Sequence, residues 1–145
     1  MVLTFSAILL GLVALIRPLQ RNPFYILNAA LVIGIAQILE TYYFRTTPFS
    51  HKTILFFFVI QFITINFTTF LAYFVDKRAA IKGTYRIPES NLHTLEFLGG
   101  TLGALLGQKI LHHKNRKKSF RLTFLIIVIL QIALIVFILK YLHFV

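Results

Sequence analysis

The chain has no cysteine and no tryptophan, and only four of its 145 residues are Asp or Glu. Without thiols there is no disulfide framework, no thiolate nucleophile and no cysteine metal site. Charge is scarce: 13% of residues are charged, against about 25% in a soluble domain. What fills the chain is apolar. Hydrophobic residues make up 58%, sixteen of the residues are Phe, and mean hydropathy is +0.82. Together these features exclude an ordinary water-soluble globule, a disordered chain and a disulfide scaffold. A single membrane domain over residues 1–145, all-helical because lipid offers the backbone no partners, is what the length accommodates.

Four apolar blocks read as transmembrane helices: Val2–Ile16, Phe24–Phe44, Thr53–Val75 and Leu122–Leu139. The first is short, reaching roughly 22 Å at the helical rise per residue. No Lys or Arg precedes it, and Arg17-Pro18 follows it in place of a small-residue cleavage site. A retained anchor is therefore expected rather than a signal peptide. Near the outer end of the second block, Glu40 is an ionisable group in an apolar setting, expected to reach the interface.

A fifth segment, Ser90–Leu111, mixes leucines with His93, Glu96, Gln108, Lys109 and four glycines. Strongly basic loops flank it, with Lys77, Arg78, Lys82 and Arg86 before it and Lys114, Arg116, Lys117, Lys118 and Arg121 after it. Charge distribution decides between two topologies. If the segment crosses the bilayer, the fifteen cations divide eight to seven. If it re-enters or lies at the interface, twelve share one side and only Arg45, Lys52 and Lys140 lie opposite. Cytoplasmic loops carry the excess of Lys and Arg. The expectation is a multi-pass cell-membrane protein with four transmembrane helices plus one glycine-rich re-entrant or interfacial helix. Its basic loops are cytoplasmic and both termini are outside.

Gly99, Gly103 and Gly107 recur every fourth residue, with Gly100 and Ala104 on the neighbouring ridge. Such a face lets a second helix approach closely. It is expected to serve packing within the chain, a homo-oligomer or a larger membrane complex. Read as one continuous helix, His93 and Glu96 fall on or beside this face. Alternatively, Gly99-Gly100 breaks the helix and exposes backbone groups toward a polar cavity. On the third block, Gln61, Thr64 and Thr68 form a polar stripe of the kind that holds membrane helices together.

The acids Asp76 and Glu89 lie among cations, where they are expected to orient them. The run His112–Arg121 holds five fixed cations beside a span, the composition of an anionic headgroup site. Arg86, Lys114, Arg116, Lys117 and Arg121 are the expected anion-binding residues. His93, Glu96 and His113 are the candidates for acid–base chemistry. Adjacent His112 and His113 diverge on a helix and no His-x-x-x-His occurs, so no metal or cofactor is expected. For nucleic acid, Tyr85 and Phe120 are the only candidate stacking platforms near the cations.

Several runs occur in a fixed order: Tyr73-x-x-Asp76-Lys77-x-Ala79, Gly83-x-x-Arg86-Ile87-Pro88-Glu89, Leu92-His93, Leu98-Gly99-Gly100, Gly103-Ala104, His113-Lys114, Arg116-Lys117 and Ser119-Phe120-Arg121. On these runs, residues 73–124 resemble the YsdA-like family of small prokaryotic membrane proteins (domain of unknown function twelve-ninety-four). Leu102 and Asn115 depart from the family's usual Pro and Thr. The resemblance leaves residues 1–72 as additional spans and implies no established activity. The leading functional expectation is therefore non-enzymatic: an anionic phospholipid headgroup or other phosphate held at the basic cluster. The alternatives are a membrane-anchored RNA- or ribosome-associated protein, and a lipid-modifying enzyme or lipid or small-molecule carrier.

Overall fold

A computed structural model describes residues 22–43, 51–112 and 117–143. The expected first span Val2–Ile16 and the candidates His113, Lys114 and Arg116 lie outside the described residues, as does the side chain of Glu40. Among the described residues all regular structure is helical: α1 (Pro23–Tyr43), α2 (His51–Lys82), α3 (Glu89–Leu95), a π turn (Glu96–Gly100), α4 (Thr101–Ile110) and α5 (Lys118–His143). Two stretches are long and apolar enough to cross a membrane, Leu55–Lys82 in α2 and Lys118–Tyr141 in α5. The apolar part of α1, Pro23–Leu39, is shorter.

Local chemistry marks the helix ends. Asn22 caps α1, its side-chain oxygen accepting from Phe24 N–H at 3.2 Å, and Pro23 occupies the first helical position, where a missing N–H costs nothing. α2 runs past the apolar block ending at Val75 and stops only at Gly83, whose φ of +66° suits a residue without Cβ. There Thr84 N–H donates to Ala79 O at 3.0 Å, closing the final turn.

The main departure from a single glycine-faced helix comes at Gly99, whose φ of +109° lies outside helical geometry. The chain doubles back there. Glu96 and Gln108 both hydrogen-bond the hydroxyl of Tyr73, although in one straight helix they would be about 18 Å apart. α3 runs antiparallel to α2, from Ile87 beside Asp76 to Gly99 beside Ile65. α4 returns along α2, from Gly103 at Asn66 to Gly107 at Tyr73. His93 and Glu96 therefore stand on a different arm from Gly103 and Gly107, which corrects their placement on one helix face.

α5 begins at the open end of this hairpin. Phe120 packs on His93, ring centroids 4.3 Å apart, and Gln131 reaches the tip, donating to Glu96 O at 2.7 Å and Phe97 O at 3.1 Å. Tyr25, Ile65, Ala72, Tyr73, Leu92, Leu95, Ala104, Phe120 and Phe124 form the main core. A second cluster of Val32, Ala36, Phe57 and Ile60 joins α1 to α2. The polar stripe lies at that junction. Thr64 and Thr68 are buried and donate to carbonyls of their own helix, and Gln61 accepts from Asn28 Nδ2 at 3.3 Å.

Candidate functional site

The hairpin brings together a buried polar chain. Glu96 is 0% exposed. One carboxylate oxygen accepts from the Tyr73 hydroxyl, and the other lies 2.6 Å from His93 Nδ1. The Tyr73 oxygen in turn accepts from Gln108 Nε2 at 3.2 Å. His93 Nδ1 faces Glu96, and Nε2 is directed away from it. The His93–Glu96 pair thus has the geometry of an oriented base, while Tyr73 and Gln108 hold the carboxylate from the far side.

At the tip, the backbone groups freed by the break are claimed by two amides. Asn66 Nδ2 donates to Gly99 O at 3.1 Å, and Asn66 Oδ1 accepts from Gly103 N–H at 2.8 Å. Gln131 covers the carbonyls of Glu96 and Phe97, and its own oxygen accepts from the Thr101 hydroxyl at 2.7 Å. Those groups are spent on protein contacts, so the alternative in which they line an open polar cavity gains no support. A Cβ on Gly103 would collide with the Asn66 carbonyl, and one on Gly107 would stand 2.7 Å from Tyr73 Cβ. Gly100 faces Thr69 just as closely.

At the open end the acids hold the loops. Asp76, 0% exposed, accepts from Ile87 N–H at 3.0 Å and lies 3.5 Å from the Arg86 guanidinium. Glu89 pairs with Lys117 at 2.7 Å. Two of the expected anion-binding residues, Arg86 and Lys117, are thus already engaged with acids. Arg121 is exposed and has no acidic partner among the described residues, and the same holds for Lys118. Both line a groove of about 460 Å³ between α4 and α5, whose other walls are Leu105, Gln108, Leu122, Phe124 and Leu125. Of the two aromatics proposed for base stacking, Phe120 is 1% exposed and unavailable, while Tyr85 is open to the surface.

Sequence reading singled out His93, Glu96, Asp76 and the glycines, but passed over Asn66 and Gln131, counted Lys118 only among the loop cations, and noted Tyr73 only within a motif. The signal for the amides is visible in retrospect. Gln131 is the single carboxamide of its apolar run, and Asn66 is one of two in its own, with Gln61; such residues seek partners across helices.

The family described as "Protein of unknown function (DUF1294)" matches residues 66–120. The Uncharacterized protein YsdA of Bacillus subtilis (strain 168) is 30% identical over 73 residues, 50% of this chain and 82% of that protein. No solved structure matches the chain. The matched stretch opens at Asn66 and closes at Phe120, enclosing the hairpin and the wall of α2 against which it folds. On that match the chain belongs to the DUF1294 family, the YsdA-like proteins of unknown function.

Proposed function

We propose that the chain is an integral membrane protein whose hairpin Glu89–Ile110 re-enters from the basic face without crossing, and that this face recognises an anionic phospholipid headgroup or another phosphate. The observation that carries the reading is the Glu89–Lys117 contact at 2.7 Å. A segment crossing the bilayer between them would hold these residues roughly 30 Å apart. Depth agrees with it. Ile65 and Asp76 on α2, and Phe120 and Gln131 on α5, are each eleven residues apart, so the tip lies about 16 Å below the open end, near half the hydrocarbon thickness. The capped start of α1 joins the same end, because Asn22 Nδ2 donates to Asn91 O at 2.9 Å. Lys77, Arg78, Lys82, Arg86, Lys117, Lys118 and Arg121 thereby gather on one side, the distribution that cytoplasmic loops favour.

Two measurements test this. Reporters or accessibility tags at Lys82 and Lys117 should give the same side, and opposite sides would end the re-entrant reading. Native mass spectrometry of detergent-purified protein should find anionic phospholipid retained in preference to phosphatidylcholine. Association with RNA instead would appear as a bound mass lost steeply with added salt. That reading is the weaker one, because burial of Phe120 leaves Tyr85 as the one stacking candidate.

A second reading, acid–base chemistry on a lipid substrate, is favoured by one specific feature, the oriented His93–Glu96 pair. Under it, His93→Gln should leave lipid retention intact and abolish chemical conversion of the retained lipid. If no conversion occurs in the wild-type protein, the pair is a buried structural contact.

A further inference from the structure

We infer that the groove between α4 and α5 is the site of one anionic glycerophospholipid, with its phosphate at Lys118 and Arg121 and an acyl chain along Leu105, Leu122 and Leu125. The inference rests on the headgroup reading above and assigns it a location. Cations that already satisfy acids are poor phosphate ligands, because an anion must compete with the existing partner. Arg86 has Asp76 and Lys117 has Glu89, whereas Lys118 and Arg121 have no acidic partner among the described residues. Lys118 and Arg121 stand one turn apart at the start of α5. Leu122 follows Lys118, and Leu125 follows Arg121, each at the four-residue spacing of a single helix stripe. Leu105 of α4 forms the facing wall, and all three leucines are exposed.

Chemistry selects a lipid over a free phosphate. The Arg fork and the Lys point charge hold a phosphate, but a free phosphate would leave the leucine walls of the groove uncovered. A glycerophospholipid matches both, with charge at the interface and hydrocarbon toward the tip. The other groove on α4, formed with α2 by Phe62, Phe67, Leu102 and Leu106 among others, offers no cation. It serves as an internal control on the same helix.

The test measures, by native mass spectrometry, the fraction of protein carrying phosphatidylglycerol taken up from mixed micelles. Leu105→Trp fills the groove and removes no charge, and it should lower occupancy about tenfold. Ile110→Trp, which lines the second groove about 140° around α4 from Leu105, should not. Lys118→Ala with Arg121→Ala should weaken occupancy by about thirtyfold, and more than Lys77→Ala with Lys82→Ala, which removes the same charge from the same end. All of these side chains are outside the core, and equal thermal stability of the variants in detergent confirms that folding is unaffected. If wild type takes up no phosphatidylglycerol, the headgroup reading itself fails. If it does, but the two tryptophan variants behave alike, the lipid sits elsewhere and the groove assignment is wrong. Displacement by millimolar inorganic phosphate that is indifferent to Leu105→Trp would mean a phosphate site without a lipid, which also overturns the assignment.

Discussion

The region around the hairpin and the distal half of α5 are built on opposite rules. In the first, Asp76, Glu96, Thr68 and Thr69 are fully buried and nearly every one of their polar atoms has a partner. In the second, from Ile129 to Tyr141, Leu, Ile, Val and Phe side chains are mostly half or more exposed and touch little of the protein. Polar groups lie inside and apolar groups outside, the reverse of what water selects. The contrast is what the proposed bilayer setting would impose. Lipid tails would accommodate the apolar surface of α5 and give helices no hydrophobic reason to associate. Close packing and interhelical hydrogen bonds must do that work, and both are concentrated where the hairpin meets α2 and α5.

Substitutions at either region break or sharpen this contrast. The largest effect is expected at Gly103, where no Cβ fits against the Asn66 carbonyl. Gly103→Leu should destabilise the folded protein by about 3 kcal/mol, the upper end for overpacking, because backbone on the facing helix cannot yield. Leu105→Ala on the exposed side should cost far less. Thermal unfolding in detergent measures both, and equal midpoints for Gly103→Leu and wild type would mean that the glycine face meets lipid.

Next is Asp76→Ala, which strands the part-buried Ile87 N–H and frees Arg86. The expected cost is about 2 kcal/mol, within the range for a buried donor left unsatisfied, with faster hydrogen exchange at the Ile87 amide as the local signature. Asp76→Asn keeps an acceptor for that amide and should recover part of the loss. Gln131→Leu removes the amide covering the Glu96 and Phe97 carbonyls and should cost about 0.6–1.7 kcal/mol, the scale of interhelical hydrogen bonds in membranes. Its effect should be larger than that of any apolar truncation farther along α5. The smallest effect is expected at Leu134, 58% exposed. Leu134→Ala should change stability in detergent by less than about 0.5 kcal/mol. A loss of 2 kcal/mol there would reveal a protein partner on α5 and remove the contrast.

Much of this was legible before any coordinates. Helical class, the approximate extent of α1 and the long apolar stretches of α2 and α5 follow from hydropathy. The proposed grouping of basic loops on one side rests on the same kind of reading, a count of cations. The pairing of His93 with Glu96 was also within reach, since residues three apart share a helix face. What escaped were the contacts made by Asn66, Gln131 and Tyr73, which join residues 23 to 37 positions apart. The same applies to the sorting of the cations into paired and free. Arg86, Lys117, Lys118 and Arg121 are indistinguishable in a charge count and differ only in which acid folds beside them.

Sequence by itself determined the apolar composition, the helical class, the glycine spacing and the basic loops on either side of the glycine-rich segment, because each is a sum of single-residue or near-neighbour properties. Only the tertiary structure decided that the glycine-rich segment is a hairpin. A continuous helix through Gly99 satisfies local propensity equally well. The fold-back is held by partners supplied from distant helices, the Asn66 and Gln131 amides and the Tyr73 hydroxyl, and by close approach of α4 to α2 that the missing Cβ atoms of Gly100, Gly103 and Gly107 permit.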